Sequence, residues 1–473
     1  MAGYDGWNLM FRPILPALLA GAVLCVAAQK PVYVALWFDT EDYIEPAADD
    51  AALRIASDLT NLGVRATFKV VGEKARTLER RGRTDVIRAL SRHAIGYHSN
   101  FHSVQPAPAV YLRRFGFVEG AAEFERQERS GIEDLRRIFG TDPVCYGQPG
   151  SSWAPQTGPA LRRLGIPVYL DAGTHVGVED QPIWYEGLLY IYSMGRYQIR
   201  PDLDHGQTMA ETLGRFDALA KELAGSGGVI STYFHPTEFV TTEFWDAVNF
   251  SHGATRERAD WVRPHRRTPE ESDRCYRILR EYVEHALKTP GVQFVTARDL
   301  LQLYSPQASP AIDPRRAAER LAKGITFSNG EAGTFSAADL LLAMLGGPWE
   351  AVDGPATGGS TRYTAETIPK PMFDGVVRDA VSFIRTNHRL PAEVFVGAET
   401  MSLADFTATL ARQTLRPADA VRVARGSVEF ERYFSTDPVG AFDWPIHPAG
   451  FSAPELLELA RLQGWTLKPA RLR

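Results

Sequence analysis

The sequence predicts an α/β protein whose larger part is a β/α barrel. Three observations carry this. Strand patterns alternate with amphipathic helical ones about seven times between residues 31 and 304, the strands are short apolar runs, and acids or histidines stand at several strand ends. Strand followed by helix, repeated, implies a parallel sheet covered by helices, most simply a closed barrel, with an open doubly wound sheet as the alternative. Either form places active groups at the C-terminal ends of the strands.

Residues 31–39 (PVYVALWFD) are β-branched and aromatic and end in acids, as a buried strand does. Residues 51–62 have helical spacing, and 65–71 (RATFKVV) form a second strand. A helix reaching about His93 leads into a strand at 94–97, and 119–139 is a long amphipathic helix. Prolines introduce short strands at 143–146 and 167–171, and 183–193 is extended. A helix at 209–224, a strand at 228–234 (GVISTYF), a helix at 270–287 and a strand at 292–295 follow, before a helix beginning near Ala297. Residues 236–269 break the rhythm. They carry Phe239, Phe244, Trp245, Phe250 and Trp261 without sustained periodicity, which fits a lid or binding wall, or a surface loop packing its own aromatics.

A chain of 473 residues is too long for one ordinary core. Two domains are expected, a barrel at 30–305 and a smaller, mainly helical accessory domain at 306–473. Hydrophobic content of 44%, charge of 23% and a net charge of -5 describe a soluble globular protein. The mild negative balance argues against nucleic acid as a partner, since phosphate binding leaves a basic footprint. At the N-terminus, Arg12 precedes a short apolar run that begins at Ile14 and ends in Val26-Ala27-Ala28. That pattern predicts a signal peptide over 1–28, export to the periplasm, cell envelope or medium, and no stable membrane span once it is removed. Cys145 and Cys275 would then remain; so few cysteines make no disulfide framework, and a single bridge stays open.

Beyond residue 306, Ser336 with Asp339, Ser402 with Asp405 and Ser452 with Glu455 each place a serine three residues before an acid and an apolar helix. Each reads as a capping box, and their recurrence suggests a repeated helical unit. The second, with its lead-in Leu390-Pro391-Ala392-Glu393-Val394-Phe395-Val396, resembles the cell-wall-binding repeat known for pseudomurein. A helical accessory domain without a ligand is the other reading.

The sharpest chemical signal is His98-Ser99-Asn100-Phe101-His102. Imidazoles at i and i+4 share a face if the backbone turns helically, and can then hold one metal ion through a ring nitrogen each. Asp39-Thr40-Glu41-Asp42 ends the first strand, where clustered carboxylates are unfavourable unless a cation or proton offsets them. Extended geometry turns Asp39 and Glu41 to the same side, while Asp42 needs a bulge or turn. His235 ends the strand at 228–234 and falls at the same end of the barrel. Trp153, Trp245 and Phe250 are candidate ligand-stacking residues.

The motifs F-D-T-E-D-Y at Phe38 to Tyr43, H-S-N-F-H at His98 to His102 and Y-F-H-P-T-E at Tyr233 to Glu238 resemble those of the polysaccharide deacetylase family, the NodB-homology domain, across roughly residues 32–304. The resemblance implies a distorted seven-stranded β/α barrel and hydrolysis of an acyl group from a carbohydrate polymer or cell-envelope glycan, assisted by a divalent metal. It assigns His98 and His102 as metal ligands, Asp39 as the base that activates water and His235 as the acid toward the leaving amine. Glu41 matches the metal carboxylate in the subset with Asp-x-acid spacing, with Asp42 in reserve. A two-histidine, one-carboxylate set favours Zn2+. Gly147-Gln148-Pro149 stands where the family has Arg-x-Pro, so the arginine is missing and Gln148 and Pro149 remain as substrate contacts. Asp171 matches the acid that this arginine orients. Backbone N–H groups near Gly150 and Ser151 are candidates for holding the oxyanion. The missing arginine motivates a rival, hydrolysis of another C–N bond such as a cyclic amide or modified sugar. A further rival is a non-catalytic domain that binds envelope glycan.

Overall fold

The computed structural model describes residues 30–204, 207–305, 312–330, 333–347 and 349–473. The expected signal segment lies outside these residues.

The first strand, β1 (Val32–Thr40), is buried along its whole length, as its unbroken apolar run requires. α1 (Ala47–Asn61) and β2 (Thr67–Val70) follow. The helical stretch expected up to about His93 is two helices, α2 (Gly72–Arg80) and α3 (Thr84–Leu90), separated where Gly82 takes a φ of 67°. β3 (Ala94–Tyr97) leads to α4 (Pro108–Leu112) and α5 (Phe117–Phe139), the latter stopped by Gly140 in the left-handed conformation. β4 (Cys145–Tyr146), α6 (Thr157–Arg163) and β5 (Val168–Leu170) come next. The extended stretch expected at 183–193 is a tight hairpin of β6 (Ile183–Tyr185) and β7 (Leu188–Ile191), turned through Glu186 and Gly187 at φ 51° and 73°. Positive φ at both turn residues matches the strand twist. α7 (Met209–Leu223), β8 (Gly228–Phe234), α8 (Trp245–Phe250), α9 (Pro269–Lys288), β9 (Val292–Val295) and α10 (Ala297–Tyr304) complete the barrel.

β1 is the hub of the sheet. Its first half lies between β8 and β9, its second half between β8 and β2, all parallel. From β2 the parallel order runs through β3, β4 and β5 to β7. β6 adds to β7 antiparallel, and the C-terminal pair Lys468–Pro469 adds to β6. The sheet curls until the chain beyond β7 meets β8 through a single bridge, Gln198 to Ser231. The result is the expected distorted β/α barrel, with a seam in place of a full ladder and more strands than seven. Every parallel strand presents its C-terminal end to the same mouth.

The C-terminal region is mainly helical. It repeats a helix, a hairpin and a second helix. α11 (Pro314–Leu321), the hairpin Ser328–Gly330 with Gly333–Phe335, and α12 (Ala337–Leu345) form one unit. α13 (Lys370–Asn387), the hairpin Glu393–Val396 with Glu399–Ser402, and α14 (Leu403–Leu415) form the other. Ser336 and Asp339 make a reciprocal capping box, and Ser402 caps α14 through Asp405 N–H. The expected third box does not form: before α15 (Pro454–Gln463) the cap is Ala453, with no side-chain bond. The apolar core runs without a break from the barrel into this region, and Tyr185 donates to the Ala460 carbonyl at 2.8 Å. Among the described residues, Cys145 and Cys275 are both buried and unbridged. Among the described residues, no helix is long and apolar enough to cross a membrane.

Candidate metal centre

The mouth of the barrel holds a cavity of about 270 Å³, lined by Asp39, Glu41, His98, His102, Gln148, Asp171 and His235, among others. β1 delivers Asp39 and, one step beyond its end, Glu41. β3 delivers His98, whose N–H still bonds the Val70 carbonyl at 3.1 Å. His102 does not follow in a helical turn. The loop after β3 is irregular, with Ser99 at φ 62° and His102 at φ 58°, and Ser99 Oγ accepts the His102 N–H at 3.0 Å. This backbone, not a helix face, brings the rings to a centroid distance of 4.9 Å.

Glu41 Oε2 lies 3.2 Å from His98 Nε2 and 2.8 Å from His102 Nε2. The neighbours fix which nitrogens carry protons. His98 Nδ1 lies 3.0 Å from the Gly147 carbonyl, which can only accept, so Nδ1 is the donor. His102 Nδ1 lies 2.6 Å from Ser103 Oγ, which itself donates to Asp246 Oδ2 at 3.2 Å. With both rings neutral, the two Nε2 lone pairs face the same carboxylate oxygen, an arrangement that suits a cation among them. The separations fit one metal ion: ligands at 2.0–2.1 Å in tetrahedral array stand roughly 3.3 Å apart. These three donor atoms all fall within 4.8 Å of one another. Burial opposes charge on Glu41, but His102 and His235 outweigh it and hold the carboxyl well below its usual range. Burial likewise opposes charge on His102, yet Glu41 raises its pKa, so a proton on Nε2 and a metal ion compete for the same place beside Glu41.

Asp39 Oδ1 lies 2.9 Å from Lys69 Nζ, and its Oδ2 lies 3.6 Å from His235 Nε2. Glu238 accepts from the His235 backbone at 2.8 Å and sits 3.0 Å from Nδ1, so Nε2 points into the cavity. Burial disfavours the imidazolium, but Glu238, then Glu41 and Asp39, hold its pKa up at about 9. Arg200, stacked 4.7 Å from the Tyr233 ring centroid, pairs with Glu238 from behind. Asp171 Oδ2 lies 2.6 Å from Lys69 Nζ.

Other expected residues stand elsewhere. Asp42 turns away from the metal group: Oδ1 accepts the N–H groups of Ile44 and Glu45, each at 2.9 Å, and Oδ2 accepts Thr237 Oγ1 at 2.8 Å. It shapes the turn after β1 and leaves Glu41 as the carboxylate near the imidazoles. Gln148 lines the cavity with its side-chain amide buried. Pro149 is buried in the turn behind it. Trp153, Trp245 and Phe250 are buried, so none offers an open ring to a sugar. Trp153 stacks on His175 at 4.9 Å. Trp245 instead donates Nε1–H to Glu41 Oε1 at 3.1 Å, and with Phe250 it packs against Tyr43 and Ile446. The aromatic segment 236–269 therefore forms part of the wall behind the metal group.

Sequence reading missed Lys69, Asp246 and Trp444. A lysine inside a buried four-residue strand was the available signal for the first. No local signal marks Trp444, which arrives from the C-terminal region. Its ring sits against Gly150, where a Cβ would stand 2.3 Å from Cδ1, and its Nε1–H donates to Asp246 Oδ2 at 2.7 Å. With Phe244, edge-on at 5.3 Å, it supplies the aromatic wall that the other three residues do not.

No protein-family model matches the sequence, and no curated protein matches it. Solved structures with similarity to it include a candidate polysaccharide deacetylase from Mycobacterium smegmatis, at 18% identity and TM-score 0.35, over 58% of this chain and 90% of that one. A family 4 acetyl xylan esterase from Clostridium thermocellum is 17% identical at TM-score 0.30, over 58% and 93%. A 4-alpha-glucanotransferase from Thermococcus litoralis is 12% identical at TM-score 0.40, over 62% and 46%. What the site can do follows from its own atoms.

Proposed function

We propose that the protein is a metal-dependent hydrolase that removes an N-acetyl or related acyl group from an amino sugar of a carbohydrate polymer, acting in an exported setting. The observation that carries this reading is the convergence of Glu41 Oε2 with two imidazole nitrogens, with Asp39 Oδ2 and His235 Nε2 beside them, 3.6 Å apart. Glu41, His98 and His102 would hold the ion, with zinc favoured by the donor set. Bound there, zinc would lower the pKa of water toward about 7 and polarise the acyl oxygen.

The chain's own residues supply the rest. Asp39, with Oδ2 turned toward the cavity, takes the proton from the attacking water as its oxygen joins the acyl carbon. His235, held protonated by Glu238, gives a proton to the nitrogen as the C–N bond breaks, leaving a carboxylic acid, which ionises on release into water, and a free amine. Gln148 offers an amide to the substrate, and Trp444, which lines the cavity, offers an aromatic surface to a sugar. Zinc content and turnover of acetylated chitin oligomers test the reading together. The parent should bind zinc and release acetate; His98→Ala should lose the ion, and Asp39→Asn should keep it while losing at least about 100-fold in kcat. A zinc-loaded parent that releases no acetate from chitin or peptidoglycan fragments sinks the reading.

A second reading, hydrolysis of a smaller amide such as a cyclic one, is favoured by the enclosure that Asp443 and Trp444 add to the cavity. Faster turnover of such amides than of chitin oligomers would select it.

A further inference from the structure

β2 carries a charge into the floor of the cleft. The Lys69 side chain is fully buried, with its ammonium 2.9 Å from Asp39 Oδ1 and 2.6 Å from Asp171 Oδ2. It also lies 4.2 Å from the centroid of the Trp37 ring. Two glycines leave room for it. A Cβ on Gly96 would stand 2.9 Å from Lys69 Cγ, and one on Gly147 would stand 2.0 Å from Nζ and 2.2 Å from Asp171 Oδ2. An ammonium this deep is costly to desolvate unless paired. The two carboxylates depend on it equally, because like charges sharing one site cannot both stay ionised without a counter-charge. Burial opposes charge on Lys69, but Asp171 and Asp39 together raise its pKa.

Asp39, His98 and Asp171 form a further group whose donor atoms lie within 4.8 Å of one another, the spacing of a metal site. Yet the ammonium stands at both carboxylates, and the His98 Nδ1 on that side is engaged by the Gly147 carbonyl at 3.0 Å. The chain fills that cation position itself.

We infer that Lys69 is a positioning residue whose ammonium takes the place of a second cation, limiting the cleft to one divalent ion and fixing Asp39 with Oδ1 anchored and Oδ2 toward the cavity. The consequence for turnover rests on the hydrolase reading above; the consequence for cation number does not. Asp171 is thereby tied to Asp39 through one shared charge, and no arginine is needed at Gly147 to link them.

Zinc per chain after loading and dialysis, together with kcat and KM on acetylated chitin oligomers, tests this in the full chain. The set is the parent, Lys69→Met, Asp171→Asn and the double variant Lys69→Met/Asp171→Asn. The parent should hold one ion, Lys69→Met two, and the double variant one, since a single carboxylate remains there. Should Lys69→Met fail to fold, the double variant, with its charge rebalanced, still reports on turnover. In Lys69→Met, kcat should drop about 100-fold, the effect of a base displaced by an ångström, with KM within about threefold. In the double variant kcat should stay well below that of Asp171→Asn, which keeps the Lys69–Asp39 pair. Equal kcat in those two variants would mean that the lysine merely offsets Asp171, and equal zinc content in all variants would remove the cation role. A parent that hydrolyses no acyl glycan but shows the one, two, one pattern of zinc would refute the proposed activity and support the assignment of Lys69.

Discussion

Asp246 acts on the metal group from one residue away. Its Oδ2 accepts Ser103 Oγ at 3.2 Å and Trp444 Nε1 at 2.7 Å, so Ser103 is oriented to take the proton of His102 Nδ1. Such outer partners set the tautomer and basicity of a ligating imidazole, and their loss weakens metal binding about 10- to 100-fold. Asp246→Asn should therefore release zinc more readily by that factor, read by competition with a chromophoric chelator. Unchanged affinity would show that Ser103 holds the ring unaided. At this scale the sequence displayed what sits next to a strand end: Asp39, Glu41, His98 and His235 lie at predicted strand ends, with His102 close by. It did not display the partners of Lys69, Asp246 or Trp444, because each of these comes from a distant segment.

At the scale of elements, the sequence predicted most strands and helices of the barrel closely, since a two-residue or 3.6-residue period needs no tertiary help to be seen. It failed where the backbone leaves regular geometry. The loop from His98 to His102 was expected to be a helical turn, but positive φ at Ser99 and His102 gives the same convergence of rings by another path. The capping motifs separate in the same way. Ser336 accepts the Asp339 N–H at 3.1 Å, whereas the segment at Ser452 puts Ala453 at the cap and Pro454 after it. Ser336→Ala should cost about 1 kcal/mol in a urea unfolding series. Ser452→Ala should stay within about 0.5 kcal/mol of the parent. A loss at 452 equal to that at 336 would contradict this difference in capping.

Across the whole molecule, the C-terminal region is joined to the barrel by shared core and by the strand pair at Lys468–Pro469. A buried histidine pair lies in that junction. His175, after β5, stacks on Trp153 and meets Phe442 edge-on at 5.0 Å, and His447 stacks on Phe451 at 4.8 Å. Burial first, with His447 adding to it, pushes His175 down to about 3. Burial likewise pushes His447 down to about 4. Both are neutral in the fold, while the unfolded chain protonates them near the ordinary value of about 6.5. Below that pH the unfolded state binds more protons, so stability is present above about 6.5 and is lost as pH falls toward the folded values. Between pH 7.5 and 5 the urea midpoint of His447→Phe should rise relative to that of the parent, because the variant has one fewer buried histidine to protonate on unfolding. A difference in midpoint between the two proteins that does not change with pH would contradict this.

By itself the sequence determined the alternation of strand and helix, the end of the barrel at which chemistry gathers, and the candidate acids and histidines at the strand ends, because all of these are encoded by neighbours in the chain. Only the tertiary structure decided which carboxylate joins the imidazoles, since Asp42 is drawn off by the Ile44 and Glu45 amides and by Thr237. It also decided which aromatic ring faces the cavity and which cation sits beneath Asp39. Those outcomes depend on segments such as β2, the Gly147 turn and Trp444 being pressed into one small volume, where desolvation and charge pairing leave few arrangements of low free energy.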